Sequence, residues 1–150
     1  MSDTGVEDRS MPVSLLALLL MAGTPVPAEA SPGKPALLQP VIEAAARCST
    51  APQLVVAMTG FTPPKGGHAT LVVSLRTADG RRHELGQVGI FPEQAFTAKL
   101  ADAQRFGFAL PKGALARNPR VMVEIRSDGG TGARATIAEA RIGPAPQERC

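Results

Sequence analysis

Two histidines and two methionines are the side chains of this chain best suited to bind a metal. His68 and His83 are the only histidines among 150 residues, and they lie on either side of a predicted hairpin. If both lie near its open end, they approach each other. Imidazole and thioether groups both suit copper, so His68 and His83 could form a weak copper site with Met58 or Met122. Since two histidines fall short of a preorganised site, the alternative is two solvated histidines and two core methionines, with no cofactor.

The two cysteines, Cys48 and Cys150, form a second pair with potential chemistry. In an exported protein an even cysteine count favours pairing. A Cys48–Cys150 disulfide would tie the start of the probable domain to the chain end and stabilise the fold by a few kcal/mol. The alternative is two free thiols, one of them buried and the other on a frayed tail. A closed zinc site needs four ligands, so two sulfur atoms alone do not predict one.

Patterns that specify an enzymatic reaction are missing from the sequence. Serine, histidine and aspartate are all present, but no G-x-S-x-G elbow occurs. The glycine-rich residues 127–134 lack the G-x-x-x-x-G-K-[ST] pattern of a phosphate loop, so we predict a turn there. The acidic residues alternate with apolar ones, as on solvated faces. We therefore predict no catalytic residues and a protein that is not an enzyme.

The amino-terminal segment has the order of features of an export signal. An apolar run at residues 13–22 is too short to cross a bilayer comfortably. Prolines and the triplet Ala28-Glu29-Ala30 follow, which predicts a signal peptide at residues 1–30 with cleavage after Ala30. The acidic first ten residues are atypical of a signal, unless translation starts at Met11. The alternative is a buried apolar helix of a cytosolic protein.

Export has consequences for location and partners. The mature chain would be periplasmic or secreted, without stable insertion in the membrane. Removal of residues 1–30 takes away Arg9 and four acids, which raises the net charge from +3 to +6. A positive charge favours acidic partners or anionic surfaces. The basic residues are scattered and the chain has no Trp or Tyr, which argues against binding to nucleic acid.

The rest of the sequence predicts a linker, a β domain and a carboxyl-terminal tail. Residues 31–50 are proline-rich and predict a linker with a short helix at 40–48. Residues 51–143 hold six or seven short strand patterns separated by turns, followed by a tail at 144–150. Regular spacing of such strands predicts an all-β, antiparallel β-sandwich, of jelly-roll or immunoglobulin-like type.

Two details of strand pairing follow from the pattern. Asp79-Gly80 between two extended runs predicts a hairpin, in which residues 71–77 pair with residues 82–90. In the last strand, Ile137 and Ile142 are the expected core anchors. They lie an odd number of residues apart, so a bulge between them is expected.

The order of strands in residues 71–143 resembles that of the C-terminal accessory domain of polyphenol oxidases and related tyrosinases. The matching segments are, in order, LVVSLRT, ELGQVGIFP, RFGFALPKGAL, VMVEIRS and ATIAEARIG. The resemblance implies a closely packed sandwich, in which Gly86 and Gly89 permit a β-bulge or the close approach of another backbone segment. It also implies that Phe91 fills the core before Pro92 turns the chain.

The resemblance excludes one function and suggests another. The family's catalytic part is a helical bundle with two coppers on six histidines, which this chain lacks. What it implies is the accessory module alone, which binds, shields or helps to mature a partner such as a copper oxidase. A second hypothesis is an exported binding module for a ligand or an envelope component, with no oxidase partner. An enzyme with an unrecognised site is the third.

We predict that protein recovered from an oxidising compartment contains the Cys48–Cys150 disulfide. Peptide mapping under non-reducing conditions should give one linked peptide pair, which separates on reduction. Two free thiols in such protein would exclude the bridge.

Overall fold

A computed structural model describes residues 26–91 and 93–148 and shows ten strands. In chain order they are β1 (Ala28–Ala30), β2 (Ala36–Leu38), β3 (Val41–Ile42), β4 (Gln53–Thr62), β5 (His68–Arg76), β6 (Arg82–Gly89), β7 (Phe96–Thr97), β8 (Gln104–Ala109), β9 (Arg120–Asp128) and β10 (Arg134–Gly143). The helices of this part of the chain are short 3-10 turns at Ala44–Arg47, Leu100–Asp102 and Ala114–Arg117. Within these residues no helix has the length and apolar character needed to span a membrane.

The strands form two sheets that pack face to face. In the first, β10 lies beside β4; β1 and β3 pair with the other edge of β10, and β7 and β8 with the other edge of β4. The second has the order β2-β9-β5-β6. All pairs are antiparallel except β3 with β10. The predicted all-β antiparallel sandwich is therefore confirmed, with short additional strands that the pattern did not reveal.

Alternation along β5 explains how the core forms. Leu71, Val73 and Leu75 are almost fully buried and belong to the central apolar cluster. Burial of each such side chain stabilises the fold by about 1.5–3 kcal/mol. Val72 and Ser74 lie on the outer face, yet they too are buried, because long side chains of neighbouring strands cover them. The second sheet therefore has a dry inner face and a partly covered outer one.

The predicted hairpin is confirmed, with Arg76 opposite Arg82. Gly80 occupies the left-handed region at φ +82°, as the Asp-Gly signal requires. The Asp79 carboxylate accepts hydrogen bonds from the Thr77 hydroxyl and from the Arg81 backbone N–H. The Thr77 hydrogen bond is the main reason that the pKa of Asp79 lies below its ordinary value.

The expected irregularity in the last strand is also present. Ile137 lies opposite Met58 and Glu139 lies opposite Ala57, so Ala138 is the extra residue. This bulge resets the alternation, and both Ile137 and Ile142 are fully buried. The odd spacing of two buried isoleucines was thus a correct indication of a bulge.

The glycine-containing strand β6 confirms one expectation and corrects another. Its register against β5 shifts at Leu85, so a bulge adjoins Gly86. A Cβ on Gly86 would lie 3.2 Å from the Phe108 ring, whereas one on Gly89 would meet open space. Phe91 does not fill the core: it is 94% exposed, and Ile90 is buried instead. Because successive side chains of an extended chain point to opposite sides, only one of these two residues can face inward.

The expected linker at residues 31–50 is part of the sandwich. β2 pairs with β9 and β3 pairs with β10, and Ala36 and Leu38 are buried. Strands of two or three residues beside prolines are too short to show alternation, which is why a linker was expected. The short helix expected at 40–48 is a single 3-10 turn.

The predicted cleavage site lies within a strand. Residues 28–30 form β1, and Ala30 is fully buried against β10. Cleavage after Ala30 would thus remove an edge strand of the first sheet. The apolar run at residues 13–22 lies outside the described residues, and the export signal stays a prediction.

The carboxyl-terminal segment returns to the start of the domain. Glu148 accepts hydrogen bonds from the hydroxyls of Ser49 and Thr50 and from the Thr50 backbone N–H. These bonds, that from Ser49 first, lower the pKa of Glu148, so the attachment weakens as pH falls through that lowered pKa. Nearby Cys48 is disulfide-bonded. Its predicted partner, Cys150, lies outside the described residues, so the pairing itself stays a prediction.

Two phenylalanines provide a matched test of the core. Phe108 is 8% exposed and Phe91 is 94% exposed. We expect Phe108→Ala to lower the free energy of unfolding by about 3–5 kcal/mol, the usual cost of removing a buried aromatic ring. Phe91→Ala should leave it unchanged within about 0.5 kcal/mol. Chemical denaturation measures both, and equal losses would contradict the placement of the two rings.

Candidate functional site

Three loops meet at one end of the sandwich, and we call this region the three-loop end (residues 63–68, the described residues 90–91 and 93–95, and residues 128–133). Strand pairing brings them together: His68 lies opposite Asp128, and Gly89 lies opposite Thr70. The loop after β4 thus adjoins the loop after β9, and the loop after β6 starts beside them. This last loop then crosses from the second sheet to β7 of the first.

The first two loops are joined by their backbones. The Lys65 N–H donates to the Thr131 carbonyl at 2.7 Å, and the Thr131 N–H donates back at 3.4 Å. A Cβ on Gly67 would lie far inside van der Waals contact of the Asp128 carbonyl oxygen, and one on Gly130 would clash equally with Gly66. Only glycine permits this approach, which holds the two loops in one arrangement.

A carboxylate attaches the third loop to the start of β5. Glu93 Oε1 lies 3.2 Å from His68 Nδ1 and accepts a hydrogen bond from the Ala69 N–H at 3.3 Å. The Glu93 side chain is 25% exposed and the His68 side chain 84%. In the part of the chain that the structure describes, no group of three or more His, Cys, Asp or Glu side chains is placed to hold a metal.

Phe91 is the most exposed large apolar side chain of the described residues, at 94%. Val26, near the start of the described residues, is 83% exposed, and Leu37, Val41 and Leu100 are about half as exposed as Phe91. Covering an exposed Phe side chain removes its apolar surface from water, which is favourable by about 1.5–3 kcal/mol. Aromatic residues are also enriched at protein interfaces, where they act as anchors. Phe91 is therefore the side chain of this end with the strongest capacity to bind a partner.

A shallow cavity of about 380 Å³ adjoins the crossing loop. It lies where β4 ends and β10 begins, with Phe96 and Thr97 of β7 on one side. Glu29 and Arg134 form an ion pair in its lining, with 4.0 Å between Oε1 and Nη1. The lining combines aromatic surface with one charge of each sign, which suits a small polar group or a partner's loop.

The predicted copper site is not assembled by the fold. His83 lies opposite Leu75, seven residues along β5 from His68, which is about 23 Å at the rise of a strand. The expectation that the two histidines approach each other is thus corrected, because His83 lies at the closed end of the hairpin. Met58 is buried in the other sheet, and Met122 lies on the outer face opposite Ser74.

Sequence reasoning missed the roles of Phe91 and Glu93. The signal for Phe91 was the adjacent pair Ile90-Phe91, of which an extended chain can bury one member. No local pattern indicates that Glu93 binds the backbone N–H of a residue 24 positions earlier. That contact depends on the register of β5 with β6, which the sequence does not specify to the residue.

Neighbouring glycines test the loop contact. Gly66 and Gly67 both have positive φ, +75° and +66°, but a Cβ has open space only at Gly66. We expect Gly66→Ala to cost about 1–2 kcal/mol for the left-handed backbone alone. Gly67→Ala should cost about 1–3 kcal/mol more, because Asp128 must move. Thermal unfolding compares them, and equal costs would show that the loops do not touch here.

No family model matches this chain, and no curated protein matches it in sequence. The geometry of the three-loop end is therefore the basis for proposing a function.

Proposed function

We propose that this protein is a non-catalytic, exported accessory module that binds a partner protein through the three-loop end, with Phe91 as the anchor. The observation that carries the proposal is the 94% exposure of this aromatic side chain on a loop that is attached at both ends. Binding would remove the ring from water and recover the apolar burial that the free protein lacks.

The attachment of the loops supports this role. Glu93, two residues after Phe91, is bound to His68 and to Ala69, and the Ala98 N–H donates to the Thr59 carbonyl at 2.7 Å. A side chain on a loop held in this way loses little conformational entropy when it binds. This attachment supports the assignment of Phe91 as the anchor.

The three-loop end also carries charged residues of both signs, as the polar rim of a protein interface does. Lys65 and His68 on the first loop and Asp128 at the end of β9 are all exposed. Charges of both signs around an apolar centre give specificity and orientation rather than bulk affinity. A partner with an apolar pocket and complementary charges around it would fit this end.

A copper oxidase of the tyrosinase type is the partner that we propose first. Residues 71–143 resemble the accessory domain of such enzymes, which covers the copper site and influences access or maturation. Phe91 would occupy the partner's apolar pocket, and this chain would bind no copper in a stable site of its own.

A second candidate function is the binding of a ligand or an envelope component without an oxidase partner. The cavity beside the crossing loop, about 380 Å³, favours it. Its volume lies at the lower end of the range for small-molecule sites. In this case Arg134, rather than Phe91, would make the decisive contact, because cleavage after Ala30 would remove Glu29.

Co-expression with a tyrosinase-type copper oxidase that lacks its own C-terminal domain tests the proposal. We expect a complex on size-exclusion chromatography, together with a change in oxidase activity or copper content. Phe91→Ala should abolish the complex and leave the fold intact, since the ring makes little contact within the chain. Leu100→Ala is the control, because Leu100 is also an exposed apolar residue, at 43%.

Two outcomes would contradict the proposal. The absence of a complex and of any effect on the oxidase would favour the ligand-binding function. A complex that survives Phe91→Ala would show that another surface binds the partner.

A further inference from the structure

Three arginines form one row across the second sheet, at the end opposite the three-loop end. Arg76 of β5 lies directly opposite Arg82 of β6 on one side and Arg120 of β9 on the other. Directly opposed residues of antiparallel strands have Cα atoms about 4.5–5.5 Å apart and side chains on the same face. Like charges in such positions destabilise a sheet, so this row is unfavourable for folding on its own.

Of the three arginines in the row, only one has its charge neutralised by a carboxylate of the described residues. Arg82 forms two hydrogen bonds with the Glu124 carboxylate, and its Nε donates to the Ser74 hydroxyl at 3.1 Å. Arg76 and Arg120 are exposed and have no ion-pair partner among residues 26–91 and 93–148. Two guanidinium groups are therefore left beside each other without a counter-charge.

These two arginines line a cavity of about 320 Å³, together with Leu37, Thr77, Ala78 and Asn118. A second cavity of about 390 Å³ shares the wall formed by Thr77, Ala78 and Asn118 and is lined by Arg117 on its far side. Of the described residues that line these cavities, Asp79 is the only acid, and it is bound to Thr77 and Arg81. The concave surface is thus strongly positive.

We propose that this surface binds a phosphate-bearing ligand. The guanidinium group presents a planar fork of N–H donors that matches phosphate oxygens, and two neighbouring forks match a group with at least two negative charges. Arg76 and Arg120 bind the phosphate, and Arg117 contacts a second anionic group across the shared wall. Leu37, which is 45% exposed, lies beside an uncharged part of the ligand. Each cavity lies within the usual size range for small ligands.

The proposal explains why an unfavourable row of charges is compatible with a stable protein. A bound anion supplies the negative charge that Arg76 and Arg120 lack in the free protein. Binding of the ligand therefore stabilises the fold. Residues kept for binding often reduce the stability of the free protein. The site lies eight residues along β5 from His68, about 26 Å away, so it is distinct from the proposed partner surface.

Titration with pyrophosphate, followed by calorimetry in low salt, tests the site. We expect binding to the unmodified chain, and affinity about tenfold lower in Arg76→Gln and in Arg120→Gln, because each removes charge-assisted hydrogen bonds. Arg105→Gln is the matched control: it removes an equal charge from β8 of the other sheet, where Arg105 donates to the carbonyls of Leu100 and Ala103. Its affinity should not change.

Vesicles identify the source of the phosphate. Binding to phosphatidylglycerol vesicles but not to phosphatidylcholine vesicles, lost in Arg76→Gln, would support a lipid headgroup. Binding to pyrophosphate alone would support a soluble phosphate. No binding to either probe would overturn the proposal, as would equal weakening in Arg105→Gln, which indicates nonspecific attraction.

Thermal unfolding without ligand gives a second readout. Arg76→Gln relieves the repulsion in the row, so its midpoint without ligand should equal or exceed that of the unmodified chain, while the rise caused by a fixed concentration of pyrophosphate should be smaller. A lower midpoint without ligand would show that Arg76 stabilises the fold, and would overturn its assignment to binding.

Discussion

The pairing of β5 with β9 is the constraint on which both proposed surfaces depend. It runs without a register shift from His68 opposite Asp128 to Arg76 opposite Arg120. The same ladder that joins the loops at one end therefore aligns the arginines at the other. A slip by one residue would bury Arg76 and expose Leu75, which the fully buried Leu71, Val73 and Leu75 prevent.

Burial of the apolar face thus determines where the functional groups lie. Leu75 is inside, so Arg76 is outside and beside Arg120. Ile90 is inside, so Phe91 projects into water. Neither exposed residue is placed by an interaction of its own. Each position follows from the adjacent residue, which the core buries. The packing of the interior therefore determines where these two surface residues lie.

The sequence predicts the parts of this fold that local chemistry determines. Asp79-Gly80 predicts the hairpin, and the spacing of Ile137 and Ile142 predicts the bulge, because both depend on a few adjacent residues. The short strands β1, β2 and β3 escape prediction, since two or three residues cannot show a period. The candidate site escapes for another reason: Glu93 contacts His68 across 25 residues of chain, and no local pattern indicates that contact. The separation of His68 from His83, by contrast, already follows from the predicted hairpin, in which His83 lies beside the turn.

The bulge in β6 at Leu85 has a consequence for how these molecules behave at high concentration. Among the described residues β6 is one of the two edge strands of the second sheet, and an unbroken edge is a template on which another chain can add a strand. The shift at Leu85 interrupts the regular row of backbone groups, and Arg82 and Glu84 place charges along the same edge. The strand that seats Phe108 against Gly86 is thereby also protected against edge-to-edge aggregation.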